Sequence, residues 1–304
     1  MTQNPLPVRV GDVEAQKRFI AAHEAFLREF PEIDALRLKM FNMARKKYEQ
    51  EPDEQAVAAE STQEGMQKRL SQVFVFCPLE VVFDDFGELL ILAGNGKGFG
   101  AQKNLRGMYE HLVTAAFLAQ NPAESVNFND HAPIEKGKIW NRVLAINPSL
   151  PDEFTPEEVQ GLHDRYREAK EKLKSGLCTG CGQPKTQEAW TREALDLMAA
   201  EVDAATGTDF AKLYTSCYLM PTFISHPTAF GLQVRLRSAD QIVYLREESE
   251  HEAADSVMRG HGLVLRLLTL MNKCFEMGLD VEQNARWDAF PVIWGHAARL
   301  DGTA

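Results

Sequence analysis

The chain has 304 residues, with 33 Lys and Arg against 44 Asp and Glu, a net charge of −11, 20 Gly and 14 Pro. That arithmetic excludes a collagen, a low-complexity disordered chain and a short disulfide scaffold, and leaves one large hydrophobic core or two modest ones. An acidic surface repels polyanions, so a broad counterion-releasing nucleic-acid platform is excluded and any RNA or DNA contact must be local.

Met1 to Val10 carries neither a charged leader nor an apolar one, and the five cysteines (Cys77, Cys178, Cys181, Cys217, Cys274) are an odd number. Reduced thiols in a cytoplasmic protein are therefore expected. Apolar residues recur at helical spacing almost throughout. Phe19, Ile20, Phe26, Leu27 and Phe30 form one stripe that Pro31 is expected to stop. Ile33, Leu36, Leu38, Met40 and Phe41 form the next, on a basic helix with Arg45, Lys46 and Lys47. Pro52 and the polar run Asp53 to Gln63 mark a boundary, giving an N-terminal helical subdomain (1–65) and a helical bundle domain (66–304).

The second domain opens on a long helix from about Met66, carrying Leu79, Val82, Phe83, Phe86, Leu89, Leu90 and Leu92 to a C-cap at Gly94-Asn95-Gly96. Its stretch Val73 to Ala93 is long enough to cross a bilayer, but Pro78, Glu80, Asp84, Asp85 and Glu88 make it a buried helix and no membrane partner is expected. A second helix follows from near Ala101 to Asn121-Pro122, so the two form a hairpin with a glycine-rich elbow. Beyond it lie a polar segment rich in Asn and Asp, a charged helix from Pro156 to Leu173, the Cys178 to Pro184 knuckle and a helix from Trp190 to Val202. Two further helices complete the reading: Phe210 to Ser225, interrupted at Pro221, and Asp240 to Met277. The expected fold is an all-α antiparallel helical bundle.

Four motifs could carry chemistry, and each has a plain structural alternative. Gly94 to Gly100 resembles a phosphate cradle but lacks the preceding strand and the Lys-Ser/Thr ending, which leaves a turn between helices. Cys178-Thr179-Gly180-Cys181 could contribute two thiolates to a structural zinc, with His163 or Cys217 as further ligands, or could be a tight turn with two thiols. Glu248-x-x-His251 is half of a di-metal bundle motif and otherwise a solvated acidic cluster. In Arg106-Gly107-Met108-Tyr109-Glu110-His111, Arg106 and Glu110 share a helix face and His111 lies one step round. An arginine to hold phosphate and a histidine to move a proton suffice for metal-independent RNA cleavage by the substrate's own 2′-hydroxyl. The same interval recurs from Arg18 to His23 and from Arg246 to His251, so spacing alone also fits an Arg-Glu pair that orients a bundle.

The run Asp84 to Pro122 (DDFGELLILAGNGKGFGAQKNLRGMYEHLVTAAFLAQNP), the segment CGQPKTQEAWTREALDLMAAEV and Leu213 to Phe230 (LYTSCYLMPTFISHPTAF) together resemble the bacterial helical family catalogued as domain of unknown function 5677. The likeness extends roughly from Ser71 to Gly278. Arg106 and Glu110 match its R-x-x-x-E helix, and Tyr214, Cys217 and His226 match its later helix, with Cys217 in the place of a serine. The resemblance implies a core similar to the HEPN domains of prokaryotic defence and toxin proteins, some of which are ribonucleases. The two lines converge on Arg106, Glu110, Tyr214 and His226 as a shared polar centre, with His111 as the alternative histidine. The expected function is thus a metal-independent ribonuclease or nucleotide-binding protein of stress or phage defence, with RNA or a nucleotide as partner. Its rivals are a non-catalytic, homodimeric interaction protein with a structural Arg/Glu/His centre and a small zinc-stabilised binding module.

Overall fold

The Gly-Asn-Gly elbow after the long apolar helix is a helix stop of the Schellman type. Gly96 takes φ 73°, its N–H donates to Ala93 O at 2.9 Å, and the Lys97 N–H donates to Leu92 O at 2.9 Å. A residue with a β-carbon would be strained in that left-handed position. The computed structural model in which this is seen describes residues 12–49, 62–177, 184–186, 189–191, 193–226, 229–239, 242–245 and 250–295. The helices are α1 (Val13–Ala22), α2 (Glu24–Glu49), α3 (Gln63–Gly94), α4 (Gly98–Gln120), α5 (Glu124–Ile146), α6 (Pro156–Lys172), α7 (Leu195–Thr206), α8 (Phe210–Leu213), α9 (Met220–Ser225), α10 (Ala229–Arg235), α11 (Glu250–Phe275) and α12 (Asp280–Trp294). A π-helix (Tyr214–Leu219) joins α8 to α9, and a short 3-10 turn (Leu150–Glu153) precedes α6.

Among the described residues the fold is all-α apart from two small antiparallel ribbons. In these, β1 (Lys174–Leu177) pairs with β2 (Pro184–Thr186), and β3 (Leu236–Ala239) with β4 (Ile242–Leu245). The second ribbon corrects the expected start of the last long helix near Asp240. Ile242 to Leu245 is a short β-branched and aromatic run, which suits a pleated edge better than a helix, and α11 begins at Glu250.

The chain divides into two compact units, one of residues 1–53, 72–120 and 195–304, the other of residues 54–71 and 121–194. This differs from the boundary near residue 65, because the first two helices belong to the larger unit. Helix α2 runs straight through Pro31, and buries Phe26, Ile33, Leu36 and Met40. Phe26 meets Phe86 of α3, His261 of α11 and Trp294 of α12 at ring-centre distances of 6.1, 5.3 and 5.6 Å. Burial of that face outweighs the one hydrogen bond Pro31 cannot donate.

Helix α11 is the axis of the larger unit. Gly260 to Leu265 are buried without interruption, as in a helix surrounded on all sides. It lies so close to α3 that a β-carbon on Gly260 would stand 2.8 Å from the Phe86 ring. Helices α3 and α4 run in opposite directions, since Leu92 faces Gly100 while Asp85 faces Gly107. Helix α12 was not expected from sequence. It is tied to α2 by Arg286 and Glu29 at 2.8 Å and to α11 by Asn272, whose Nδ2 donates to Asp280 at 3.0 Å and to Gln283 at 3.2 Å.

In the smaller unit, α5 occupies the polar stretch rich in Asn and Asp, to which no element was assigned from sequence. Ser125, His131, Ile134, Gly137 and Trp140 are buried along it, and Ile134 packs with Ala169, Leu173 and Tyr166. That buried stripe overrides weak helix propensity and the internal Pro133. Helix α6 opens with a capping box, the Thr155 N–H donating to Glu158 Oε2 at 2.9 Å and the Glu158 N–H to Thr155 Oγ1 at 3.3 Å.

Candidate functional site

The site is built where α4 meets the α8–π–α9 segment. Asp203 at the end of α7 starts that segment by accepting from the backbone N–H groups of Phe210 and Ala211, both at 2.8 Å, and from the Thr208 hydroxyl at 2.7 Å. Two otherwise orphaned backbone donors and one hydroxyl are satisfied by one carboxylate. The helix then widens from Tyr214 to Leu219. Pro221 follows at once; it has no N–H to donate, and its ring presses on the carbonyl four residues back, so tight α-type bonding is denied there. The interruption expected at Pro221 is thus a change of helical pitch rather than a break.

In the wide turn Tyr214 and Tyr218 stack, with ring centres 5.3 Å apart at 30°. Tyr109 of α4 is fully buried beneath them, 6.3 Å from Tyr214 and 6.2 Å from Tyr218. Its hydroxyl donates to Phe210 O at 2.9 Å. Burial, reinforced by the nearby Cys217 and Asp203, drives the Tyr109 phenol far above its ordinary pKa, so it remains a neutral donor. Desolvation raises Tyr214 as well.

Arg106 lies over this aromatic cluster. Its guanidinium carbon is 5.2 Å from the Tyr218 ring centre and its Nε is 3.4 Å from Glu110 Oε2, the two side chains being 29% and 42% exposed. The Nε is buried and forms no aligned hydrogen bond, so charge and the ring face hold the arginine in place rather than directed bonds. The expected Arg106–Glu110 pair is therefore present, one helical turn apart on the flank of the buried stripe Leu105, Met108, Leu112 and Ala116.

The other expected residues are dispersed. His111 is exposed and lies near Asp85 of α3, whose carboxyl is raised mainly by burial and lowered in part by that imidazole. Five positions of 100° put it about 140° round the helix from Arg106, so the two do not share a groove. His226 is the exposed C-cap of α9, its backbone N–H donating to Thr222 O at 3.2 Å. Tyr214 belongs to the cluster through its stack with Tyr218. Cys217 is fully buried, and burial pushes its thiol up to about 11, which keeps it protonated. Cys178, Cys181 and Glu248 lie outside the described residues. Among the described residues, no group of three His, Cys, Asp or Glu side chains could hold a metal ion, and no helix is long and apolar enough to cross a membrane.

Sequence reasoning missed Tyr218 and Tyr109. The signals available were a Tyr-x-x-x-Tyr pair at helical spacing, 214 and 218, and a tyrosine adjoining Glu110.

No curated protein and no solved structure matches the chain. One family model does, over residues 82–242, a shorter span than the likeness read from sequence but one that contains Arg106, Glu110, all three clustered tyrosines and the π-helix. That span is more than half of the chain, and on it the chain belongs to the family of unknown function DUF5677.

Proposed function

We propose that the chain is a self-associating helical interaction protein in which Arg106, Glu110 and Tyr218 form a structural centre. The observation that carries this reading is an exposed apolar surface beside that centre. Met220 and Phe223, one turn apart on α9, are 36% and 40% exposed, and Phe230 of α10 is 44% exposed. The Phe223 and Phe230 rings contact each other edge to face at 5.7 Å. Contiguous exposed aromatics of this kind mark association surfaces in soluble proteins. The occupant is a second copy of the chain, because a homodimer meeting through one self-complementary patch is the commonest oligomer. Arg106 supports the structural role: its charge is taken up by Glu110 and the Tyr218 ring.

One observation favours the ribonuclease reading as a second. His226 follows Phe223 by three residues and is exposed, so pairing through this surface would bring two copies of it near each other. Such a dimer would cleave single-stranded RNA without metal and leave 2′,3′-cyclic phosphate ends, since the attacking oxygen belongs to the substrate. A role in bacterial defence and a HEPN-like core belong to this reading. The test is incubation of purified protein with single-stranded RNA in chelator at low salt, beside Arg106→Ala, His111→Ala and His226→Ala. Cleavage by wild type that Arg106→Ala and His226→Ala abolish establishes the second reading. Intact RNA, or the same background cleavage in all four proteins, leaves the interaction protein.

A further inference from the structure

A cavity of about 330 Å³ opens in the larger unit, walled by Ala116, Val202, Phe210, Leu270 and Trp287; it shares Phe210 with the support of the Arg106 centre, but Arg106, Glu110 and the clustered tyrosines do not line it. Its size is at the lower end of the range for small-molecule sites, which are apolar clefts with a few placed polar groups.

The polar groups in its wall divide sharply into those already engaged and those left over. Thr206 donates to Val202 O at 2.7 Å, and Thr208 donates to Asp203 at 2.7 Å. Thr269 donates to Leu265 O at 2.9 Å and accepts from Gln283 at 2.6 Å and Trp287 at 3.2 Å. The two internal charges cancel: Arg266 contacts Asp209 Oδ1 through Nε at 3.0 Å and Nη2 at 2.6 Å, while its Nη1 donates to Gly262 O at 3.0 Å. The Arg266 guanidinium also lies 5.3 Å from the Trp287 ring centre. Cys274 adds a thiol that burial raises to about 11, which keeps it protonated and neutral beside Lys273. Lys273 and Gln120 remain: both line the cavity and are exposed, and neither side chain has a hydrogen-bond or ion-pair partner among the described residues. The cavity therefore presents an apolar interior, an indole wall, one uncompensated positive charge and one free carboxamide.

From this arrangement we propose that the cavity is a binding site for a small hydrophobic monocarboxylate, its chain or ring against Leu270 and Trp287 and its carboxylate on Lys273 and Gln120. A dianion or phosphate would have only one cation to meet it. A cation would have Lys273 against it, because Asp209 is neutralised by Arg266.

The net charge of −11 makes the test selective: the protein as a whole attracts cations, so a preference for an anion must come from the cavity. Octanoate, octanol and octylammonium are titrated into the full chain by calorimetry, at a pH where the first is ionised and the last protonated. Octanoate is expected to bind saturably at one site and octylammonium at least about tenfold more weakly. Lys273→Ala should weaken octanoate about fivefold and leave octanol unchanged, and Lys273→Glu should reverse the order of the two ions. Leu270→Trp, checked for folding by circular dichroism, should abolish binding of all three by filling the cavity. Absence of saturable octanoate binding overturns the proposal. So does octanoate binding that is indifferent to Lys273→Glu, or that survives in a folded Leu270→Trp protein. Should Leu270→Trp fail to fold, the exposed Lys273 variants decide the matter.

Discussion

Arg106 and His111 leave the same helix about 140° apart, the arginine over the Tyr218 ring at 5.2 Å and the histidine beside Asp85 of the neighbouring helix. Two residues five positions apart in sequence thereby face different partners, and only the arginine belongs to the aromatic centre.

If Arg106 is structural, its loss costs stability whether or not any activity exists. Arg106→Ala removes a partly exposed ion pair and a cation–π contact, and should lower unfolding free energy by about 1 kcal/mol. Arg106→Lys should recover only part of this, since a lysine cannot lie flat on the ring. Urea denaturation measures both. A midpoint unchanged in Arg106→Ala would detach the residue from the structural role.

His261 gives the protein an acid-sensitive joint. The Trp294 indole N–H can only donate, so the His261 Nδ1 it meets at 3.0 Å must be the unprotonated nitrogen of a neutral ring. Burial among Phe26, Phe290 and Trp294 pushes its pKa down to about 3. Between the ordinary histidine value of about 6.5 and that depressed value, the unfolded chain binds a proton that the folded chain refuses. Stability from this residue is complete above pH about 6.5 and falls by up to about 1.4 kcal/mol per unit as pH drops towards 3. Denaturation midpoints followed from neutral pH to pH about 4 should fall more steeply in wild type than in His261→Leu. Equal slopes would mean that the imidazole is already charged in the fold.

Gly260 sits where α11 packs directly on Phe86 and Leu89 of α3. A β-carbon there would lie 2.8 Å from the Phe86 ring, which is itself fully buried. Gly260→Ala should destabilise the larger unit by about 1–3 kcal/mol through overpacking, reversing the gain in helix propensity that alanine normally brings. Thermal melts compare it with Gly161→Ala, a position with open space around it, which should melt at or above wild type.

What was legible in the sequence depended on how local its cause was. The α3 stop rests on Gly94-Asn95-Gly96 alone, and the Arg106–Glu110 pair on a four-residue interval, so both were readable. Helix α5 was not, because its Asn, Asp and Pro residues argue against a helix and only burial of Ile134 and Trp140 secures it. Strand β4 was absorbed into a helix because four apolar residues, Ile242 to Leu245, have no decisive period. The aromatic centre was half visible: Tyr214 came with the family likeness, whereas the i,i+4 spacing of Tyr218 places it on the same helix face but does not by itself mark it as part of a site.

The central claim, that the exposed α9–α10 surface pairs two copies of the chain, is tested most directly by sedimentation velocity of the full chain over a concentration series. Wild type should sediment as a dimer, and the double variant Phe223→Glu with Phe230→Glu should sediment as a monomer with unchanged helical signal, since both side chains are exposed in the folded chain. A wild type that remains monomeric throughout the series, or a double variant that still dimerises, would contradict it.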